Sequence, residues 1–187
     1  MKTIFLFVFI IFNNNYLFSS NLEENIETCN SCHSVENVIN DPLIPSINGQ
    51  EFFYIYTQLK DYKAGRRSHE IMTDIASDLS KDDMKALAQF YSEKKWLPYA
   101  INKDYDSESI EKIVSSGGRN ACTKCHVGFK GNSGVPTIGG QKYTYLNHTM
   151  RAFKDKERTN AGTKNAIFSG FDYETIDLMA KYLSDQK

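Results

Sequence analysis

Cys29-Asn30-Ser31-Cys32-His33 and Cys122-Thr123-Lys124-Cys125-His126 use all four cysteines of this 187-residue chain. Each segment sets two thiols three positions apart and follows them with an imidazole. On one helical turn, two such thiols can each add to one of the two vinyl groups of a haem. The adjoining histidine then comes under the iron as proximal ligand. A four-thiolate zinc site needs no histidine after each pair. A thioredoxin-like redox motif needs a βαβ context, which the sequence lacks. Disulfides within each pair would leave both histidines unexplained. Covalent attachment of two haem c groups is therefore the leading reading, with Cys29, Cys32, Cys122 and Cys125 as thioether anchors and His33 and His126 as iron ligands.

The first twenty residues read as an export signal. Lys2 supplies the positive end, Ile4 to Phe12 an apolar run, and Leu17-Phe18-Ser19-Ser20 a cleavage region, with the cut near Ser19 or Ser20. Nine or ten apolar residues fall short of the roughly 20 that span a bilayer. An anchor that is kept rather than cut is the alternative. Export points to a periplasm-like space, where the chain is soluble or associates peripherally with the membrane. The net charge of −1 brings no basic stripe for nucleic acid.

The two halves match beyond the cysteines. Pro45-Ser46-Ile47-Asn48-Gly49-Gln50 returns as Pro136-Thr137-Ile138-Gly139-Gly140-Gln141, 91 residues later. At the same offset Tyr54 matches Tyr145, Tyr62 matches Phe153, and Arg67 matches Arg158. Near the end Ala88-Gln89-Phe90 pairs with Ala180-Lys181-Tyr182 at an offset of 92. Ordered matches with small indels mark a duplicated domain. The expected layout is a signal at 1–20, a first domain at 21–96, a linker at 97–107 and a second domain at 108–187.

Both halves read as helical, with no strand-like alternation. Residues 50–63 carry Phe53, Ile55, Tyr56, Leu59 and Tyr62 as a broad apolar face. Residues 81–94 follow a Ser80 N-cap, with Asp82 and Asp83 favouring the helix dipole. The second half repeats this plan at 141–154 and at 173–184, the latter capped by Asp172. The Gly-, Pro-, Asn- and Ser-rich stretch between each histidine and the Gly-Gln pair reads as irregular backbone. A domain of about 80 residues has little core of its own, and an apolar macrocycle would supply what the side chains lack.

Cys-x-x-Cys-His, Pro-x-Ile-x-Gly-Gln, an aromatic-rich helix, Arg, a Met-bearing ligand loop and a final amphipathic helix together resemble a class I cytochrome c. Two such units in one exported chain resemble the dihaem cytochrome c4 family. The resemblance implies an all-α fold of two tandem domains, each a few helices around a covalently bound haem, with Pro45 and Pro136 in the haem-pocket loops. It implies a sixth iron ligand from the loop after the aromatic-rich helix, which in the first half is Met72, with His69 as its rival. A thioether there raises the potential and closes the coordination sphere.

The second half departs from that pattern. The positions matching Met72 are Thr163 and Lys164, and residues 160–168 contain no methionine. Three arrangements stay open: Lys164 as a neutral amine ligand, a five-coordinate or water-bound iron, or a ligand from elsewhere. Met150 and Met179 read as helix core positions, and His148 lies on a helix rather than in the ligand loop.

Two classes of function follow. As a carrier, the chain would pass electrons between a quinol-oxidising complex or periplasmic dehydrogenase and a terminal oxidase, with no catalytic residue. As a dihaem enzyme of the peroxidase or thiosulfate-dehydrogenase type, it would use the second haem, which lacks a Met ligand, as its reactive centre.

Overall fold

The computed structural model describes residues 15–100, 105–116, 118 and 121–186. Of the proposed export signal, residues 1–14 lie outside the described residues. The cleavage region falls in the first turns of helix α1 (Asn15–His33). Among the described residues the secondary structure is helical, with one isolated β-bridge between Asn132 and Val135. No described helix is long and apolar enough to cross a membrane.

Two helical units form, and their packing repeats. In the first, α3 (Phe52–Lys63) packs on both α4 (Glu70–Asp78) and α5 (Lys81–Ser92), with α1 against α5. In the second, α7 (Tyr143–Lys154) packs on α8 (Gly162–Phe168) and α9 (Tyr173–Ser184), with α6 (Ser107–Ser116) against α9. The first core gathers Ile55, Leu59, Leu79, Met84, Leu87 and Tyr91, the second Ile110, Leu146, Met150, Ile176, Met179 and Leu183. Met150 and Met179 are core residues, as their helical register implies.

The expected caps form. Ser80 and Asp83 make a reciprocal capping box at the start of α5, and the Asp172 carboxylate accepts from Thr175 N–H at 2.7 Å at the start of α9. Three sequence expectations are corrected. Phe53, assigned to the apolar face of α3, is 57% exposed, because Phe52 turns to the core in its place. The stretch after His33 is not wholly irregular: Ser34 caps a short helix α2 (Val35–Asn40). The ligand loops are also helical, with Met72 in the first turn of α4 and Lys164 in α8.

The repeated Gly-Gln pair shows why a chain needs those residue types there. Gly49 and Gly140 both lie in the left-handed region, at φ +70° and +71°. A Cβ on Gly49 would stand 2.5 Å from the Trp96 backbone nitrogen, and one on Gly140 2.7 Å from Pro98 Cβ. The segment leaving α5 is thus pressed against both glycine turns. Tyr99 N–H donates to the Gly140 carbonyl at 2.8 Å and the Trp96 indole to Gly139 at 3.1 Å.

Matched residues of the repeat meet one another across the domain boundary. Gln50 bonds both backbone groups of Thr137, and Gln141 bonds both backbone groups of Ser46. Arg67 donates to Tyr145 Oη at 3.2 Å, and Arg158 donates to Tyr54 Oη at 3.4 Å. Each guanidinium also stacks on its own domain's aromatic, Tyr62 or Phe153. The next matched pair carries opposite charges. Glu51 accepts from Gly134 N–H at 3.0 Å, while Lys142 donates to the carbonyls of Val38 and Asp41. Such reciprocity is what a two-fold, isologous interface produces.

Candidate haem sites

In the first domain Cys29, Cys32 and His33 occupy the last turn of α1, as the helical reading of the motif requires. In the second, the motif opens on a single 3₁₀ turn, Cys122–Lys124, instead of an α-helix. Cys29 packs against the first core and Cys122 against the second. The two thiol pairs therefore belong to separate sites, which does not fit one four-thiolate zinc centre.

Both histidines are oriented in the same way. His33 Nδ1 lies 3.1 Å from the Pro45 carbonyl oxygen, and His126 Nδ1 lies 2.7 Å from that of Pro136. A carbonyl can only accept, so each Nδ1 carries the proton and each Nε2 keeps its lone pair for a metal. The environment favours that neutral form. Burial lowers the His33 pKa, and burial together with the Lys164 cation lowers that of His126 to about 4. Burial also pushes the Cys29 thiol up to about 11 and raises Cys122. These are protected thiols in apolar surroundings rather than reactive nucleophiles.

On the distal side, Met72 packs against the same cluster as Cys29 and Ile47. Its rival His69 is exposed and acts as the N-cap of α4, its Nδ1 facing Met72 N–H at 3.4 Å. In the second domain Thr163 is exposed, whereas Lys164 turns inward until its Nζ stands 3.4 Å from His126 Nε2. Asn165 braces that helix, donating to the carbonyls of Phe153 and Arg158 at 2.7 and 2.8 Å. His148 is exposed on α7.

This donor set fits a covalently attached haem. Each site offers two thiols, a neutral imidazole with a free Nε2, and a candidate thioether or amine. Arg158 Nη1, buried at the domain boundary, has no partner among the described residues. The Pro45 and Pro136 carbonyls act on the histidine rings, a role sequence reading assigned only to their loops. Sequence reading missed the cross-domain duty of Gln50 and Gln141. Its one visible signal was a polar residue recurring where each aromatic-rich helix begins.

Two helical units, each with a Cys-x-x-Cys-His site beneath an apolar core, define a c-type cytochrome of the class I fold. Cytochrome c4 of Pseudomonas aeruginosa is 30% identical over 142 residues, covering 72% of this chain and 70% of that protein. Cytochrome c4 of Stutzerimonas stutzeri is 30% identical over 177 residues, covering 84% of each. A crystal structure of reduced cytochrome c4 from Pseudomonas stutzeri superposes with a TM-score of 0.77 at 26% identity, over 90% of this chain and 98% of that one. A thiosulfate dehydrogenase electron acceptor from Thiomonas intermedia is 28% identical over 143 residues, 71% of this chain and 65% of that protein. No family model matches the chain. The chain belongs to the cytochrome c4 family. It is an electron-transfer protein that binds haem c and works with redox partners.

Proposed function

We propose that this chain is an exported electron carrier with two haem c groups, one in each domain. Cys29, Cys32 and His33 hold the first and Cys122, Cys125 and His126 the second. The domains run over 21–96 and 108–187, joined by 97–107, a division supported by the two separate cores. Electrons enter from a quinol-oxidising complex or a periplasmic dehydrogenase and leave to a terminal oxidase. The electron-acceptor name of the Thiomonas relative favours a dehydrogenase as one such donor. The space is periplasmic, and signal cleavage falls near Ser19 or Ser20.

The observation that carries the reading is Lys164 Nζ facing His126 Nε2 across 3.4 Å. A bound haem supplies a one-electron couple. The residues around it determine whether its iron stays closed to outside ligands. Met72 closes the first site, and Lys164, as the neutral amine, closes the second. Two closed sites suit electron transfer and leave no open position for a substrate. The amine site has the lower potential, because a thioether favours ferrous iron over a nitrogen donor. Electrons then rest on the Met72 side.

The dihaem-enzyme reading requires an open second site, and the inward Lys164 weighs against it. Carbon monoxide and cyanide distinguish the two. Neither reagent should perturb the absorbance of the native dihaem protein within seconds; rapid binding at one haem would establish an open reaction centre and sink the carrier reading.

A further inference from the structure

We propose that Gln50 and Gln141 each tune the proximal histidine of the opposite domain, through the peptide group that this histidine touches. The inference rests on His33 and His126 being the proximal iron ligands, as proposed above. In the first domain one peptide group, Pro45–Ser46, makes both bonds. Its carbonyl accepts from His33 Nδ1 at 3.1 Å, while its N–H donates to Gln141 Oε1 at 3.0 Å. In the second domain the Pro136–Thr137 peptide does the same. Its carbonyl accepts from His126 Nδ1 at 2.7 Å, and its N–H donates to Gln50 Oε1 at 2.7 Å. No peptide bond among the described residues is cis. The carbonyl and N–H of each group therefore point opposite ways, with the histidine on one side and the other domain's glutamine on the other.

The glutamines are held for this task. Each Nε2 also donates to the next carbonyl, Thr137 O or Ser46 O, at 2.9 Å. Each Oε1 additionally receives the following residue's N–H at 2.9 Å. Gln50, Gln141 and Ser46 are all at least 95% buried, so water is kept from the first relay, while Thr137 in the second is half-buried.

An amide whose N–H is hydrogen-bonded carries more charge on its oxygen, and bonds in such a chain strengthen one another in a low-dielectric interior. A stronger bond at Nδ1–H makes the imidazole a better donor at Nε2. A better donor favours the ferric state and lowers the potential; second-shell hydrogen bonding is one of the protein's levers on a haem iron. Both bonds of the second relay are shorter than those of the first, so the lever acts more strongly on His126.

The test uses Gln141→Met and Gln50→Met in the full chain. Methionine keeps the length of the side chain and removes its hydrogen bonds. Mass spectrometry first confirms two attached haems, which separates failure of the haem assignment from failure of the relay. The two potentials are then read by spectroelectrochemistry, and the proximal Nδ1–H resonances by NMR of ¹⁵N-histidine-labelled reduced protein. Gln141→Met should raise the first-domain potential and move the His33 Nδ1–H resonance upfield, leaving the second haem where it was. Gln50→Met should do the mirror image at His126, with the larger shift. A change confined to the substituted domain, an equal change at both haems, or no change overturns the proposal. If the variants do not fold, hydrogen exchange on the native protein decides. Strong protection of both Ser46 and Thr137 N–H supports the relay, and exchange at unstructured-chain rates at either position defeats it.

Discussion

Lys164 and Thr163 are neighbours in sequence, and both fall in register with Met72. Only Lys164 is turned inward, and its ammonium nitrogen faces the one ring nitrogen of His126 that the Pro136 carbonyl leaves free. Without a metal the ammonium donates to that nitrogen, which disfavours an imidazolium and depresses the His126 pKa. A metal that displaces the lysine proton would instead draw on the lone pairs of both nitrogens. Lys164→Ala should alter the low-temperature electron paramagnetic resonance signal of half the haem, shift that haem's potential and open it to carbon monoxide. The Met72 haem should be unchanged. An unaltered second-haem spectrum would show that the amine is not the ligand. His69 illustrates the converse. It stands three residues from Met72, yet its ring caps a helix, a job that competes with reaching a metal.

At the scale of elements, helices α3, α5, α7 and α9 were legible because apolar spacing, Ser80 and Asp172 all agree on where they lie. Helices α4 and α8 were not, since each is short and rich in polar residues; α4 is capped by a histidine, which is not among the preferred N-caps. Their stability comes from packing on α3 and α7 rather than from intrinsic propensity. The glycine turns entering α3 and α7 are stricter. Gly65 also has positive φ, +68°, but a Cβ there would meet nothing within 4 Å. Gly65→Ala should therefore cost about 1–2 kcal/mol for the left-handed backbone alone. Gly49→Ala should cost more, because its Cβ also runs into Trp96 and Lys94 backbone that cannot simply rotate away. Urea denaturation midpoints at equal m-value give the comparison, and equal losses would show that the Trp96 segment yields freely.

Across the whole molecule, the interface is built from the repeat itself. Tyr145 is half-buried there. Burial pushes its phenol pKa up, but the Arg67 and Arg158 guanidiniums outweigh that and bring it to about 7. The same two cations lie near Gln58, Asp61 and Asn160, which knit the centre of the boundary together. A double-mutant cycle with Tyr145→Phe and Arg67→Met should give a coupling of about 0.5–3 kcal/mol in denaturation, as groups in one buried network do. Additive losses would mean that the two side chains share the interface without acting on each other. Because equivalent residues face one another, the glutamine of each domain's turn is bonded to the peptide that touches the other domain's histidine.

The amino-acid sequence alone set out two candidate sites and the haem chemistry they imply, because Cys-x-x-Cys-His is a local motif whose reach is one helical turn. It also determined that the halves are copies, since an offset of 91 is counted along the chain. Only the tertiary structure decided that the copies clasp each other, that Gln50 bonds the Thr137 backbone and Gln141 that of Ser46, and that Lys164 rather than Thr163 faces His126. Those contacts join groups 38 to 95 positions apart. Spacing along a chain says which residues are equivalent. Which of them touch is set by how buried polar groups find partners once two cores have packed.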